Sequence, residues 1–334
     1  MIISRTPFRI SFFGGGTDYP VWYNEHGGAV LATSINRYCY INCRYLPPFF
    51  EHKFRIVYSM VEDVRTIEDI KHPAVRKGLQ FMRITDGVEI HNDSDLPARA
   101  GLGSSSSFTV GLLHALHGMR GEMCTRMQLA QEAIHVERDL IGENVGAQDQ
   151  VTAAFGGLNV IRFSPGDRIT IHPVTLPLDR IHLLQNHLLL YFTGFSRNAS
   201  EIAADQIRNT PKMEKELQAI QAMVDEAMKI IGSGDIGDFG RLLHEGWEIK
   251  RSLSAKISNA YLDDIYARGL AAGAIGGKLL GAGGGGFMLF FVPPDKQVHF
   301  RRQMAPLLHV PFEFESLGSQ IIFYEPSVAA AKPG

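Results

Sequence analysis

The stretch Pro97-Ala-Arg-Ala-Gly-Leu-Gly-Ser-Ser-Ser-Ser107 constrains the fold of this chain most strongly. Its two glycines let backbone N–H groups converge, and its serines add hydroxyl donors at the start of a predicted helix. The positive end of the helix dipole would face the same point, which favours a bound phosphate. The residues could equally form a glycine turn and a helix N-cap. The pattern G-x-x-x-x-G-K-[ST] is missing, so this is not a Walker loop.

Composition limits the classes of protein that this chain can belong to. It has 334 residues, 45% of them hydrophobic, and a formal net charge of −2. These values predict a folded protein of two lobes, which we place at residues 1–175 and 176–334. The basic residues are scattered, so neither nucleic acid nor an anionic membrane is an expected partner. Without a signal peptide or a run of about 20 apolar residues, we expect a cytoplasmic protein.

The cysteines and histidines give no sign of a metal or disulfide framework. The three cysteines include no C-x-x-C pair, and the thirteen histidines include no H-E-x-x-H. We therefore expect reduced cysteines and no transition metal.

The order of strand and helix patterns is typical of an α+β protein. Residues 7–13 alternate apolar and polar side chains, which predicts a half-buried strand running into the glycines 14–16. A helix is predicted from the serines to about Arg120, and a second over 126–142. Further strands are predicted at 29–35, 38–45, 54–58, 88–91, 155–163, 188–192 and 286–292, and further helices at 200–233 and 238–254.

Glu137 falls on the apolar face of the second predicted helix, beside Ala133 and Ile134. A buried carboxylate needs a partner, because burying an unpaired charge costs several kcal/mol. That partner could be an arginine or lysine in a structural ion pair. Near a phosphate loop it could also be Mg²⁺, which takes carboxylates, hydroxyls and phosphate oxygens.

Asp149 lies in the glycine-bearing loop 142–150. It could cap a helix that begins at Gln150. It could also be the base that orients and deprotonates an attacking hydroxyl in phosphoryl transfer.

A second glycine cluster, residues 281–286, contains the spacing G-x-G-x-x-G. A dinucleotide fingerprint needs a strand before it and a helix after it, whereas here the predicted strand 287–292 follows. A close backbone approach to the serine loop or to a substrate explains these glycines better.

The order and spacing of these motifs resemble the GHMP kinases over nearly the whole chain. Residues 97–107 resemble the central P-x-x-x-G-L-G-S-S motif of that superfamily, and residues 281–286 resemble its C-terminal glycine motif. Glu137 and Asp149, twelve positions apart, match its metal-binding glutamate and catalytic aspartate. The resemblance implies ATP and Mg²⁺. It also implies an N-terminal lobe like the second domain of ribosomal protein S5 and a ferredoxin-like C-terminal lobe.

The resemblance further implies a role for each matching residue. Asp149 would be the base, Arg9 would steady it and the transferring phosphoryl, and Ser105 would join Glu137 on Mg²⁺. The residues implied for ATP are Pro97, Gly101, Leu102, Gly103, Ser104, Ser105, Ser106 and Ser107. The residues implied for the substrate are Gly15, Gly16, Thr17, Asp18, Arg197, Gly283 and Gly284.

Within the superfamily, the first motif departs from that of galactokinases, which have an acidic residue and a histidine where Gly15 and Gly16 stand. The runs Gly14–Tyr19, Gly146–Gln150 and Phe192–Arg197 resemble those of bacterial D-glycero-D-manno-heptose-7-phosphate kinases and of fucokinases. This resemblance implies a kinase of a sugar phosphate that acts at the anomeric hydroxyl. A kinase of fucose or another unphosphorylated sugar is an alternative, and so is a non-catalytic sensor of sugar and ATP. A substrate phosphate would need a basic pocket, for which the candidates are Arg197, Arg99, Lys250 and Arg251; each could equally be a surface charge.

Overall fold

The computed structural model describes residues 1–47, 49–98, 100–194 and 199–326, and within them the chain forms two sheets with helices against them. The prediction of an α+β protein is confirmed. The strands are β1 (Ile2–Phe13), β2 (Gly28–Tyr45), β3 (Phe54–Val57), β4 (Val61–Val64), β5 (Val88–Ser94), β6 (Leu158–Ser164), β7 (Arg168–Pro173), β8 (Leu188–Gly194), β9 (Gly276–Leu279), β10 (Gly286–Phe291), β11 (Leu308–His309), β12 (Phe314–Glu315) and β13 (Gln320–Tyr324).

Helices fill the intervals between the strands, and the helix predicted from the serines is confirmed. The α-helices are α1 (Pro20–His26), α2 (Pro73–Phe81), α3 (Ser104–Met119), α4 (Arg126–Ile134), α5 (Gln148–Phe155), α6 (Leu178–Asn186), α7 (Ala199–Asn209), α8 (Glu214–Ser233), α9 (Ile236–Ser252), α10 (Ala260–Ala271) and α11 (Gln297–Gln303). A π-helical segment, His135–Ile141, continues α4, and short 3₁₀ turns lie at Thr210–Lys212 and Pro294–Lys296. Within the described ranges, every helix is too short or too polar to cross a lipid bilayer.

The first sheet is built on the long antiparallel pair β1 and β2. Its order is β13-β1-β2-β5-β3-β4, with β6 and β12 also paired to β2 and β7 paired to β6. Phe8, Ile10 and Phe12 of β1 are buried on one face, as the alternation predicts. The other face was expected to meet solvent, but Arg9 is only 5% exposed and Ser11 only 7%. Both side chains line a cavity and are largely shielded from solvent, so neither face of β1 is freely exposed at these positions.

The second sheet is antiparallel, in the order β11-β8-β10-β9. Every residue of β10 is buried, which explains its unbroken apolar sequence. After β11 the chain returns to the first sheet, where β12 pairs with β2 and β13 with β1. The lobe boundary near residue 175 stays a prediction, although these last strands belong to the first sheet.

Candidate active site

The serine loop leads into α3 through two glycines in left-handed conformations. Gly101 has φ 82° and Gly103, the residue before α3, has φ 73°. A side chain is strained at such angles, which is why glycine occupies both positions. Gly101, Gly103, Ser104, Ser105 and Ser106 line a cavity of about 490 Å³ at the N-terminus of the helix.

The second glycine cluster packs against this loop backbone to backbone, as the sequence predicts. A Cβ atom added at Gly101 would lie 2.4 Å from the carbonyl oxygen of Leu280. A Cβ atom at Gly281 would lie 2.4 Å from Gly101 Cα, and one at Gly286 would lie 2.4 Å from the carbonyl oxygen of Ala100. The glycines thus fix the serine loop, residues 101–107, against the second sheet.

Arg9 and Asp149 form an ion pair next to the serine loop. Arg9 Nε donates to Asp149 Oδ1 at 2.7 Å, and Arg9 Nη2 donates to Asp149 Oδ2 at 2.8 Å. This bidentate pair fixes the orientation of the carboxylate. Arg9 Nη1 donates to the carbonyl oxygen of Gly101 at 2.7 Å. A Cβ atom at Gly103 would lie 3.3 Å from Asp149 Oδ2, so the loop and the carboxylate are in close contact. Asp149 lies in the first turn of α5 rather than at its N-cap, which is Ala147.

Glu137 is fully buried in the π-helical segment, as its place on the apolar face predicts. Its Oε2 accepts hydrogen bonds from Ser106 Oγ, at 2.8 Å, and from the Gln150 side-chain amide, while its Oε1 accepts one from Thr109 Oγ1 at 2.8 Å. Burial raises the pKa of Glu137 to about 7, although these three donors oppose the rise. Among the described residues, no arginine or lysine lies within ion-pair distance of Glu137, so the expected structural ion pair is not formed.

The donor set around Glu137 fits a magnesium ion. No group of three His, Cys, Asp or Glu side chains gathers in the part of the chain that the structure describes. Magnesium does not need one, since one carboxylate, hydroxyls and the phosphates of a nucleotide supply the oxygen ligands that it prefers. Ser106 lines the cavity and contacts Glu137, whereas Ser105 is exposed and makes no hydrogen bond to it.

Asp18 lies at the end of the cavity formed by the first glycine motif. Its Oδ1 accepts from the backbone N–H of Gly16 at 3.1 Å, and its Oδ2 from that of Gln148 at 3.2 Å. Burial, together with the nearby charge of Asp149, raises the pKa of Asp18 to about 6. Gly15 and Gly16 line the same end. Thr17 does not line it: its hydroxyl shares its one hydrogen between the carbonyl oxygens of Gly14 and Ala29, accepts from the Ala29 N–H, and closes the loop.

Two cavity residues that sequence patterns did not indicate carry buried polar atoms. Ser11 Oγ and Gln148 Oε1 have no hydrogen-bond partner among the described residues, and both residues line the cavity. Gly15 lies between them, because a Cβ atom there would be 3.7 Å from Ser11 Oγ and 3.8 Å from Gln148 Nε2. Unpaired buried polar atoms are costly, so this end of the cavity suits a ligand rich in hydroxyls.

Several predicted site residues lie away from the cavity. Leu102 is buried, Ser107 donates to the carbonyl oxygen of Pro7 at 2.9 Å, and Pro97 does not reach the cavity. Gly283 and Gly284 pack against Ile257, and the backbone N–H of Gly284 donates to its carbonyl oxygen at 2.9 Å. Arg197 and Arg99 lie outside the described residues.

Comparison with known proteins agrees with this geometry. The family model described as GHMP kinases N terminal domain matches residues 64–157, and the model described as GHMP kinases C terminal matches residues 217–306. The D-glycero-alpha-D-manno-heptose 7-phosphate kinase of Campylobacter jejuni is 30% identical over 310 residues, which cover 89% of this chain and 91% of that protein. This chain belongs to the GHMP kinases. It is therefore an ATP-dependent phosphotransferase.

Two further proteins are similar to this GHMP kinase, one in sequence and one in structure. The galactokinase of Pyrococcus furiosus is 25% identical over 330 residues, covering 88% of this chain and 90% of that protein. The crystal structure of a D-glycero-D-manno-heptose 1-phosphate kinase from Bacteroides thetaiotaomicron superposes with a TM-score of 0.79 at 24% identity, covering 96% of this chain and 98% of that one. The similarity to this crystal structure shows the fold alone.

Proposed function

We propose that this GHMP kinase transfers the γ-phosphoryl group of ATP to the anomeric hydroxyl of D-glycero-D-manno-heptose 7-phosphate. The product would be the 1,7-bisphosphate, which supplies nucleotide-activated heptose for surface polysaccharide. The observation that supports the proposal most is the Arg9–Asp149 pair next to the serine loop, because it holds a fixed carboxylate beside the loop that we propose binds phosphate. The choice of sugar rests on the Campylobacter jejuni relative and on the motifs shared with heptose kinases.

In this proposal the chain acts mainly by positioning and by charge. Asp149 accepts a hydrogen bond from the attacking hydroxyl and takes its proton as the new bond forms. Arg9 holds Asp149 in one orientation and faces the developing negative charge of the phosphoryl group. The backbone N–H groups from Gly101 to Ser106 cradle the nucleotide phosphates at the positive end of α3.

Ser106 and Glu137 would hold the Mg²⁺ ion. This replaces the pairing of Ser105 with Glu137 that the family resemblance implies, because only Ser106 is both at the cavity and in contact with Glu137. When bound, Mg²⁺ neutralises charge on the phosphates of ATP. The raised pKa of Glu137 means that metal binding would be accompanied by loss of its proton.

The sugar would lie between the phosphate loop and the first glycine motif. Asp18 accepts hydrogen bonds from sugar hydroxyls. The unpartnered Ser11 Oγ and Gln148 Oε1 are the other polar groups that bind these hydroxyls. Gly15 and Gly16 leave room for the ring, since a side chain at Gly15 would come into contact with Ser11 and Gln148. Supply of ATP also supports a cytoplasmic location, which we include in the proposal.

An assay of the purified protein with ATP, Mg²⁺ and a panel of sugars tests this function. We expect ADP release with heptose 7-phosphate at a kcat/KM at least about 100-fold above that for fucose or galactose. Phosphorus NMR of the product would locate the new phosphate at the anomeric carbon. Comparable turnover of fucose with none of heptose 7-phosphate would overturn the choice of sugar, and ligand binding without ADP release would overturn the choice of an enzyme over a sensor.

A further inference from the structure

Two lysines from the second half of the chain meet beside Arg9. Lys250 lies near the end of α9, and Lys278 lies in β9 and is only 9% exposed. Both line the cavity that also contains Arg9 and Asp149. The family motifs assign neither lysine a role.

Both ammonium groups are hydrogen-bonded to backbone carbonyls. Lys250 Nζ donates to the carbonyl oxygens of Leu279, at 3.0 Å, and Gly281, at 2.5 Å. Lys278 Nζ donates to the carbonyl oxygen of Phe12 at 2.6 Å. When protonated, each side chain has three N–H donors, so one N–H of Lys250 and two of Lys278 are then left for a ligand after these bonds.

No carboxylate among the described residues lies within ion-pair distance of either lysine. Asp149 is within reach of the cavity, but both of its oxygens are engaged by Arg9. Burial and then the charge of Arg9 lower the pKa of Lys250 to about 7. Burial, Lys250 and Arg9 lower the pKa of Lys278 well below its usual range. Three basic groups around one cavity, only one of them paired, make a site that an anion would complete.

The position of the two lysines indicates which anion they bind. Lys250 contacts Gly281, which packs on Gly101 of the phosphate loop, and Arg9 contacts both Gly101 and Asp149. Lys250 is therefore next to the point where the loop meets the carboxylate. That is where phosphoryl transfer would occur in the function proposed above. Lys278 lines the same cavity and is hydrogen-bonded to Phe12, three residues along β1 from Arg9.

We propose that Lys250 and Lys278, together with Arg9, form a phosphoryl-binding site that holds the group in transfer. The proposal rests on the phosphoryl-transfer function of the site but not on the identity of the sugar. Both lysines are then catalytic residues, because their free N–H groups contact the reacting phosphoryl oxygens. The alternative is that they only tie the glycine cluster and β1 together through their carbonyl contacts.

A binding experiment without any sugar tests the site directly. Thermal unfolding is followed in rising inorganic phosphate, with chloride at matched ionic strength as the reference, for the wild type and for Lys250→Met and Lys278→Met. Lys229→Met, an exposed lysine of α8, is the matched control. We expect phosphate to raise the unfolding temperature of the wild type and the control. In either cavity variant, the apparent Kd for phosphate is expected to rise about 10- to 100-fold, as for loss of a charge-assisted hydrogen bond.

Kinetics then show which phosphate the two lysines bind, the phosphoryl group in transfer or the phosphate already on the acceptor. The two variants are assayed with heptose 7-phosphate and with the same heptose without its phosphate. A fall in kcat of about 10²- to 10³-fold with both acceptors assigns the lysines to the transferring group. A rise in KM for the phosphorylated acceptor alone keeps the anion site but assigns it to the substrate's own phosphate.

The proposal is overturned if both lysine variants keep the wild-type response to phosphate and wild-type kcat and KM. A fall in unfolding temperature without phosphate, with the phosphate response intact, would show that the lysines only tie the two segments together. If heptose 7-phosphate is not a substrate, the sugar assignment fails but the phosphate titration still decides the site.

Discussion

Replacing Glu137 with glutamine removes a buried carboxylate whose ionisation works against folding. Burial raises its pKa from 4.5 to about 7, so the folded protein keeps the proton of Glu137 at pH values where the unfolded chain has lost it. This proton uptake stabilises the folded state fully below the unfolded pKa of 4.5, and the stabilisation is lost as pH rises through 7. A rise of that size corresponds to about 3 kcal/mol in the free energy of unfolding between the two limits.

The surroundings of Glu137 can accept a glutamine. Gln150 Oε1 is buried and has no partner among the described residues. If the Gln150 amide turns over, this oxygen can accept from the new amide of residue 137, and the Ser106 hydroxyl can accept from the same group. Thr109 can continue to donate to the remaining oxygen. The variant therefore removes the charge without leaving a cavity.

The measurement is urea unfolding of the wild type and Glu137→Gln between pH 5 and pH 8 in the absence of Mg²⁺. We expect the free energy of unfolding of the wild type to fall relative to the variant by about 2–3 kcal/mol over this range. Glu226→Gln, an exposed carboxylate of α8, is the control and is expected to stay within about 0.5 kcal/mol of the wild type. The reasoning is refuted if the difference in the free energy of unfolding between the wild type and Glu137→Gln does not change with pH. The same variant is also expected to weaken Mg²⁺-dependent nucleotide binding.

Three further predictions concern the residues around the phosphate loop. Asp149→Asn keeps the shape of the side chain but is expected to lower kcat by about 10²- to 10⁴-fold with ATP affinity unchanged by calorimetry; wild-type turnover would remove Asp149 as the base. Gly101 and Gly142 both have φ 82°, so Gly101→Ala and Gly142→Ala carry the same backbone strain. An added Cβ at Gly101 would lie 2.4 Å from the carbonyl oxygen of Leu280, whereas one at Gly142 would meet nothing within 4 Å. In urea unfolding we expect a loss of about 1 kcal/mol for Gly142→Ala and about 1–3 kcal/mol more for Gly101→Ala, and equal losses would contradict the packing of the two loops. Ser106→Ala is expected to raise the Mg²⁺ concentration needed for half-maximal activity while Ser105→Ala does not, and the reverse result would restore the assignment implied by the family resemblance.

Local sequence patterns were sufficient to predict the loop and the helices that position the candidate site residues. The glycines and serines of residues 101–107 predict a loop and a helix start because their backbone requirements are local. The burial of Glu137 follows from helical periodicity. Periodicity could also have predicted that Ser106, rather than Ser105, contacts Glu137. Ser106 and Thr109 are three residues apart and share one face of α3, and both contact Glu137.

Contacts between distant segments were out of reach of such patterns. Arg9 and Asp149 are 140 positions apart, and their pairing was assigned only through the family resemblance. The strands β12 and β13 are two and five residues long and pair with β2 and β1 across almost the whole chain. Ser11 and Gln148 are ordinary polar residues whose unpartnered atoms become evident only when the cavity is known.

The contacts at Arg9 also explain why the two sheets must assemble before the site exists. The serine loop and Asp149 lie at the starts of α3 and α5, between strands of the first sheet. Lys278 lies in β9 of the second sheet, Gly281 follows that strand, and Lys250 lies in α9. Arg9 touches Gly101, Gly101 touches Gly281, and Gly281 accepts a hydrogen bond from Lys250, so positive charge and phosphate loop are fixed by one chain of contacts. Burial of two lysines without a carboxylate partner opposes their protonated forms, which is why their pKa values are lowered. An anion bound by the assembled site would restore both charges, and this accounts for placing two lysines where burial disfavours them.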